Sequence, residues 1–240
     1  MDIEEFECIF RKYLEELNIN INREQIVKFY NYMNLLIEWN NRLNLTAITN
    51  PKDIILKHFV DSLTIAKYIG EKAKVIDVGT GAGFPGIPLK IYRDDIEVTL
   101  LDSLNKRINF LNYVIEHLNL KKIKTIHGRA EEYAHQTDYR EKFNISTSRA
   151  VANMATLSEY LIPYVKINGM AIAMKGVDID EEIKGAENAI KILGGKITNI
   201  EEFELPSTDA RRSIVCVKKI KETVSKFPRK AGTPTKEPLH

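Results

Sequence analysis

The sequence predicts an α/β fold, a seven-stranded and mostly parallel sheet covered by helices on both faces and preceded by an N-terminal helical extension. Three observations carry this. Apolar residues recur at helical spacing through the first seventy positions; after Gly70 short apolar strand patterns alternate with helical stretches; and the last two strand patterns follow one another across a short turn.

In the extension, Phe6, Ile9, Phe10, Tyr13, Leu14 and Leu17 form one helical stripe, and Ile26, Phe29, Tyr30, Met33, Leu36 and Ile37 form a second. The polar run Trp39-Asn40-Asn41-Arg42 predicts a break. Pro51 then opens a third helical stretch that carries Ile54, Ile55, His58, Phe59, Leu63 and Ile65 up to Gly70. Beyond it, strands are expected at Lys74–Gly79, Glu97–Asp102, Ile123–Gly128, Asn144–Arg149, Gly169–Lys175, Lys196–Leu205 and Arg212–Lys219. Helices are expected between them at Ser103–Leu118, Val151–Tyr164 and Asp180–Leu193. Strand–helix alternation gives parallel neighbours, and a short turn at Pro206–Ala210 makes the final pair antiparallel. Five alternating units closed by such a hairpin resemble the Rossmann-like sheet of class I methyltransferases. The expected organisation is an extension over residues 1–70, a core over 71–220 and a basic, irregular tail over 221–240.

Composition narrows the function classes. With 240 residues and 44% apolar content, the chain can bury a sizeable core. No apolar run approaches the roughly 20 residues of a membrane span, and the acidic start does not read as a signal peptide. Cys8 and Cys216 lie far apart, and the histidines make no metal-ligand spacing. A cytoplasmic chain without metal, membrane contact or obligate dimer is the expectation. The net charge of +2 is uneven, because the segment from Ala210 to His240 carries +7 and leaves −5 for the rest. A basic end on an acidic body suits a polyanionic partner, and a merely solvated tail has the same composition.

The most informative stretch runs from Val75 to Gly86, an apolar strand that enters a glycine cluster. A P-loop is excluded because no Lys-Ser/Thr follows Gly86. The dinucleotide pattern Gly81-x-Gly83-x-x-Gly86 is present, but it begins two residues too far past the strand. The third pattern, Asp77-x-Gly79-x-Gly81-x-Gly83, resembles the first motif of class I methyltransferases, whose acid reaches the methionine ammonium of S-adenosylmethionine. A carboxylate at a buried strand end needs partners; local capping of the loop would supply them as well. Asp102, 23 residues after Gly79, falls where nucleoside-binding sheets place an acid against ribose hydroxyls, or where it would cap the helix after Ser103.

One family gathers these pieces. Asn44-Leu45-Thr46, Lys57-His58-Phe59-Val60-Asp61-Ser62-Leu63, Gly83-Phe84-Pro85-Gly86-Ile87-Pro88-Leu89, Asp102-Ser103-Leu104-Asn105-Lys106-Arg107, Gly128-Arg129-Ala130-Glu131, Ser148-Arg149-Ala150-Val151-Ala152 and the Phe227–Pro234 run are similar to the bacterial small-subunit rRNA guanine-N7 methyltransferases. This is the glucose-inhibited division protein B family. Its usual Ala-Arg-Ala is Ser148-Arg149-Ala150 here. The resemblance implies methylation of N7 of a guanosine in the 530 loop (position 527) of 16S rRNA, free or within the small ribosomal subunit, with S-adenosylmethionine as methyl donor. By position it implies that Gly79 and Phe84 line the cofactor, that Ala130 and Glu131 hold its adenine side, and that Arg149 stands near the methyl and the entering base. With Asp77, Gly81, Gly83, Asp102, Ser103 and Leu104 these form the expected cofactor site.

N7 of guanine already presents a lone pair, so no base is required, and none is evident. The loop after the fourth strand lacks the Asn/Asp-Pro-Pro-aromatic pattern of exocyclic-amine methylation, and Cys216 reads as a core residue rather than a nucleophile. Lys175 at a strand end keeps a ribose 2′-hydroxyl methyltransferase as an alternative, and a nicotinamide-dependent oxidoreductase is the rival outside this class. Lys106, Arg107, Arg129, Lys175, Arg211, Arg212, Arg229 and Lys230, with Arg149, are the expected RNA contacts. His58 reads as an RNA contact or, more simply, as a structural residue that closes its helix face.

Overall fold

The computed structural model of the protein describes residues 1–149 and 151–239, so Ala150 of the expected post-strand motif lies outside them. Seven strands form one sheet, β1 (Lys74–Val78), β2 (Glu97–Asp102), β3 (Ile123–His127), β4 (Phe143–Arg149), β5 (Val165–Lys175), β6 (Gly195–Glu204) and β7 (Arg211–Lys219), in the order β3-β2-β1-β4-β5-β7-β6. Five strands are parallel, and β7 pairs antiparallel with both β5 and β6. The order reverses between β1 and β4, which opens a crevice above the carboxyl ends of the strands.

Side-chain alternation assigns the two faces. Val75, Val98, Leu100, Ile145 and Ile172 share one core with the extension and with α5 (Gly86–Tyr92) and α6 (Asn105–His117). Ile76, Val78, Leu101, Ala171 and Ala173 face the other core, with α8 (Met154–Leu161) and α9 (Asp180–Ile192). The extension consists of α1 (Ile3–Glu16), α2 (Arg23–Leu43), and a third segment of α3 (Pro51–Ile54), a π-helical turn (Ile55–Val60) and α4 (Asp61–Leu63). Its aromatic residues form one cluster, which meets the sheet unit where Tyr32 packs 5.5 Å from Phe84. Phe10 and Phe29 lie 4.9 Å apart, Phe29 and Phe59 5.1 Å, and Tyr32 stacks on Phe59 at 5.4 Å.

The break expected at Trp39–Arg42 does not occur, because α2 continues to Leu43. Its polar residues serve tertiary contacts. Trp39 packs on Phe110 and Tyr113, and the buried Asn40 accepts a hydrogen bond from Thr46 N at 2.8 Å. The helix ends at Asn44 in the left-handed region, φ 48°. β5 also starts earlier than expected, at Val165 instead of Gly169.

The tail is irregular apart from α10 (Thr233–Lys236), yet it is docked. Phe227, Pro228 and Pro234 are buried, and Pro228 O lies 2.7 Å from His135 Nε2. Arg229 turns inward. Its guanidinium and its backbone N–H all bond the fully buried carboxylate of Glu159 on α8, at 2.6–3.2 Å. This removes Arg229 from the groups offered to a polyanion, because its charge is spent on a buried partner. Arg229→Ala strands Glu159 without its counter-ion and is expected to cost about 3 kcal/mol of unfolding free energy. Denaturant melts of both proteins read this directly, and an unchanged midpoint refutes it. Among the described residues no helix is long and apolar enough to cross a membrane.

Candidate functional site

β1 ends at Val78, and the chain bends from Gly79 to Pro85 before α5 begins. The N–H groups of Gly79 and Thr80 both donate to Leu101 O, which ties the bend to the end of β2. Gly81 has φ +63°, and a Cβ built on it would meet nothing within 4 Å. Its bare main chain therefore opens onto free space. Gly83 is required for a different reason. At φ +104°, a side chain would be strained and would collide with Ile87 and the Tyr32 hydroxyl.

Two carboxylates brace this bend. Asp77 is fully buried at the end of β1, and its Oδ2 accepts from Thr80 Oγ1 at 2.6 Å and Gly86 N at 2.8 Å. Among the described residues its Oδ1 has no partner. Burial pushes the Asp77 carboxyl up to about 7, against the pull of the Thr80 and Gly86 hydrogen bonds. Asp102, at the end of β2, accepts from Gly81 N and Leu104 N, both at 2.9 Å, and pairs with Arg107 at 3.1 Å. Both acids cap local backbone; Asp102 also borders the crevice, whereas Asp77 is buried beneath the bend.

A cavity of about 400 Å³ opens over the bend, lined by Gly79 to Ala82, Phe84, Asp102, Ser103 and Arg107, with Thr46, His58 and Arg149 opposite. Ala130 and Glu131 do not line it. They begin α7 (Ala130–Tyr133), where the buried Glu131 carboxylate accepts from Gly232 N of the tail. Leu104 contributes its backbone to Asp102, and its side chain is exposed.

Arg149 closes the far wall of the cavity. Its guanidinium donates to Lys57 O at 2.9 Å, Asp61 Oδ2 at 2.9 Å and His58 Nδ1 at 2.8 Å, and it lies 5.0 Å over the Phe84 ring. A guanidinium only donates, so Nδ1 accepts and the imidazole proton sits on Nε2, 3.0 Å from Thr46 Oγ1. Burial and the neighbouring Arg149 lower the His58 pKa to about 3, and the neutral ring stacks on Phe84 at 4.3 Å. Asp61 is buried and also meets Arg212 Nε at 3.4 Å. Burial raises its pKa, and the two arginines oppose that rise.

A second cavity of about 400 Å³ adjoins the first beyond this wall. His58 and Arg149 line both, whereas Asp61, Lys175, Phe203 and Arg212 line only the second. Lys175 bonds Ala152 O at 2.8 Å and pairs with Glu182 at 2.6 Å. Lys106 bonds Leu43 O, and Arg211 pairs with Glu202. Arg129 and Lys230 are exposed. Arg107, Arg129, Arg149, Lys175 and Arg212 all fall at the same edge of the sheet, beyond the carboxyl ends of the parallel strands. Thr46 and Asp61 are site residues that residue-level reading missed, and for His58 it favoured a structural role. Their signal was present in the resemblance, as the Asn44–Thr46 and Lys57–Leu63 runs.

The chain is similar over residues 25–215 to a family model described as rRNA small subunit methyltransferase G. Three relatives carry the name Ribosomal RNA small subunit methyltransferase G. The Clostridium perfringens (strain 13) protein is 54% identical over 96% of this chain and 98% of its own length. That of Desulforamulus reducens is 52% identical, covering 94% and 95%. That of Clostridium botulinum (Loch Maree) is 51% identical, covering 98% and 99%. Solved structures share the fold at low identity. M. jannaschii TYW2 in complex with AdoMet matches with TM-score 0.51 and 14% identity over 65% of this chain and 72% of its own. The [4+2]-cyclase SpnF matches with TM-score 0.53 and 10% identity over 68% and 82%. A family model that matches residues 25–215 and near-complete relatives more than half identical place this chain, with its glycine bend at the crest of a seven-stranded sheet, in the rRNA small subunit methyltransferase G (GidB) family.

Proposed function

We propose that this protein transfers the methyl group of S-adenosylmethionine to N7 of a guanosine in the 530 loop of 16S rRNA, acting in the cytoplasm on the RNA or the small subunit. The observation that carries this reading is the pair of adjoining cavities divided by Arg149 and His58, one over the glycine bend and one beyond it. The first fits a sulfonium nucleoside. Gly81 leaves main chain bare, Asp102 and Ser103 line the cavity on the side proposed for the ribose, and Asp77, buried beneath the bend, keeps an Oδ1 that has no partner among the described residues and is an acceptor for a cationic or N–H group. When bound, the sulfonium supplies an electrophilic methyl. The N7 lone pair forms the new bond as the carbon–sulfur pair returns to sulfur. No proton moves, so the task of Phe84, His58 and Arg149 is to hold donor and acceptor in line.

The nicotinamide reading loses its physical basis at the same bend. A dinucleotide sets its pyrophosphate on bare glycines at the start of the helix. Here a Cβ at Gly83 would strike Ile87 and Tyr32, and Gly86 N already donates to Asp77. The helix start is filled by the chain's own carboxylate.

Mapping of 7-methylguanosine in 16S rRNA from cells with and without this protein tests the proposal. The expected result is a single 530-loop modification that disappears with the protein and returns with purified protein and S-adenosylmethionine. An unmodified loop in both strains would refute it.

A further inference from the structure

The second cavity holds an arrangement that retention of a cofactor does not need. Asp61 on α4 and Arg149 at the end of β4 stand side by side, 2.9 Å apart, and both face the cavity. Arg149 borders both cavities, whereas Asp61 borders only the second. Moving away from the glycine bend, the wall therefore presents a donor first and an acceptor next.

A guanine presents the matching order along its edge. N7, the methyl acceptor, is followed by O6, an acceptor, and then by N1–H, a donor. We propose that the Arg149–Asp61 pair is the base-reading element of this site, with Arg149 donating to O6 and Asp61 accepting N1–H of a guanine splayed into the second cavity. The inference rests on the function proposed above and adds its specificity determinant. With O6 on Arg149, N7 turns toward the shared wall and the first cavity. Adenine reverses both groups. Its 6-amino donor would face the guanidinium, and its bare N1 would face the carboxylate, leaving two buried charged groups unmatched.

The surroundings agree with such an occupant. Ile48, Met174, Ile214 and Phe203 give apolar walls for the faces of a flat ring, and Lys175 and Arg212 stand at the same cavity as cations for the attached phosphates. A carboxylate oxygen has more than one lone pair, so the 3.4 Å contact of Arg212 leaves Asp61 capacity for an incoming N–H. The Asp61–Arg149 pair is also close to neutral as a unit. The cationic 7-methylguanine formed by the reaction therefore meets no net repulsion from it. A buried ion pair is a weak source of stability, so its placement on a cavity wall is better accounted for by recognition.

The test uses the wild-type protein and 16S rRNA assembled by ligation with guanosine, inosine, 1-methylguanosine or adenosine at the methylated position. Single-turnover N7 methylation is followed with radiolabelled S-adenosylmethionine. Inosine keeps O6 and N1–H and is expected to react within about threefold of guanosine. Blocking N1–H removes a hydrogen bond to a charged group, so 1-methylguanosine should fall by about ten- to a hundredfold. Adenosine should be inert. In Asp61→Asn the amide oxygen stays on Arg149 and the NH₂ faces N1–H, so guanosine should drop to the level of 1-methylguanosine while calorimetric affinity for S-adenosylmethionine is unchanged. A merely structural Asp61 would lower both substrates and keep the gap between them. Equal rates for guanosine and 1-methylguanosine with the wild-type protein overturn the base-reading pair and leave the proposed function standing. A guanosine that accepts no methyl at all overturns the function itself.

Discussion

Arg149→Ala is expected to lower the rate of methyl transfer by about a hundred- to a thousandfold, the range seen when a single positioned donor is removed from an active site, and to change affinity for S-adenosylmethionine far less. The asymmetry follows from where the guanidinium sits. It lines the bend cavity only at its far wall, and its three hydrogen bonds go to Lys57, His58 and Asp61 in the extension. Without it, His58 Nδ1 loses its donor and Phe84 loses the cation over its ring. Under the proposed function, donor and acceptor are then no longer held in line. The substitution also leaves Asp61 with only the longer Arg212 contact, so the variant should be less stable. Arg149→Lys separates the two effects. A lysine restores a charge beside Asp61, but it lacks the planar fork that reaches a carbonyl, an imidazole and a carboxylate together. Lysine is therefore expected to recover much of the stability and little of the turnover. Single-turnover kinetics, titration calorimetry and denaturant melts of the three proteins decide this. A turnover in Arg149→Ala equal to wild type would remove Arg149 from the methyl end.

The second large effect concerns Asp77. Asp77→Asn should weaken S-adenosylmethionine binding by about ten- to a hundredfold, the worth of a hydrogen bond to a charged group. It should also make the protein more stable than wild type at pH 8. The sign comes from burial. The folded carboxyl is pushed from its ordinary 3.8 up to about 7. Between those values the folded chain binds more protons than the unfolded one, so stability falls as pH rises through this window, and the full penalty is present above it. Asparagine carries no charge to desolvate, and its amide oxygen can still accept from Thr80 and Gly86. The stability gain should therefore be large at pH 8 and small at pH 4, where the wild-type carboxyl is protonated. Chemical denaturation at the two pH values, with cofactor titrations beside it, measures both halves. A variant less stable than wild type at pH 8, or one that binds the cofactor undiminished, sinks the account.

Much of this was legible in the residues themselves. The seven strands fall within a few residues of the expected spans, because period-two apolar patterns and glycine or proline punctuation are local signals. The same locality exposed the bend, since Asp77, Gly79 and Gly81 follow one another on a single strand–turn unit, and the placement of Asp102 and Arg149 at strand ends follows from alternation alone. Where residue-level reading erred, a polar residue had a distant partner. Asn40 looked like a helix breaker because its bond to Thr46 is a tertiary contact, and Arg229 looked like a free cation in a +7 tail because Glu159 lies 70 positions away.

By itself, then, the sequence determined the α/β sheet, the glycine bend and the acids beneath it, and, through ordered motifs along nearly the whole chain, the family. Only the tertiary structure decided which groups hold Arg149. The groups that hold it, Lys57, His58 and Asp61, lie 88 to 92 residues earlier, on an extension whose apolar stripes announce packing and nothing more. Periodicity reports which face of an element is buried. It carries no information on which buried polar groups will meet, because that depends on how the aromatic face of the extension docks against the sheet.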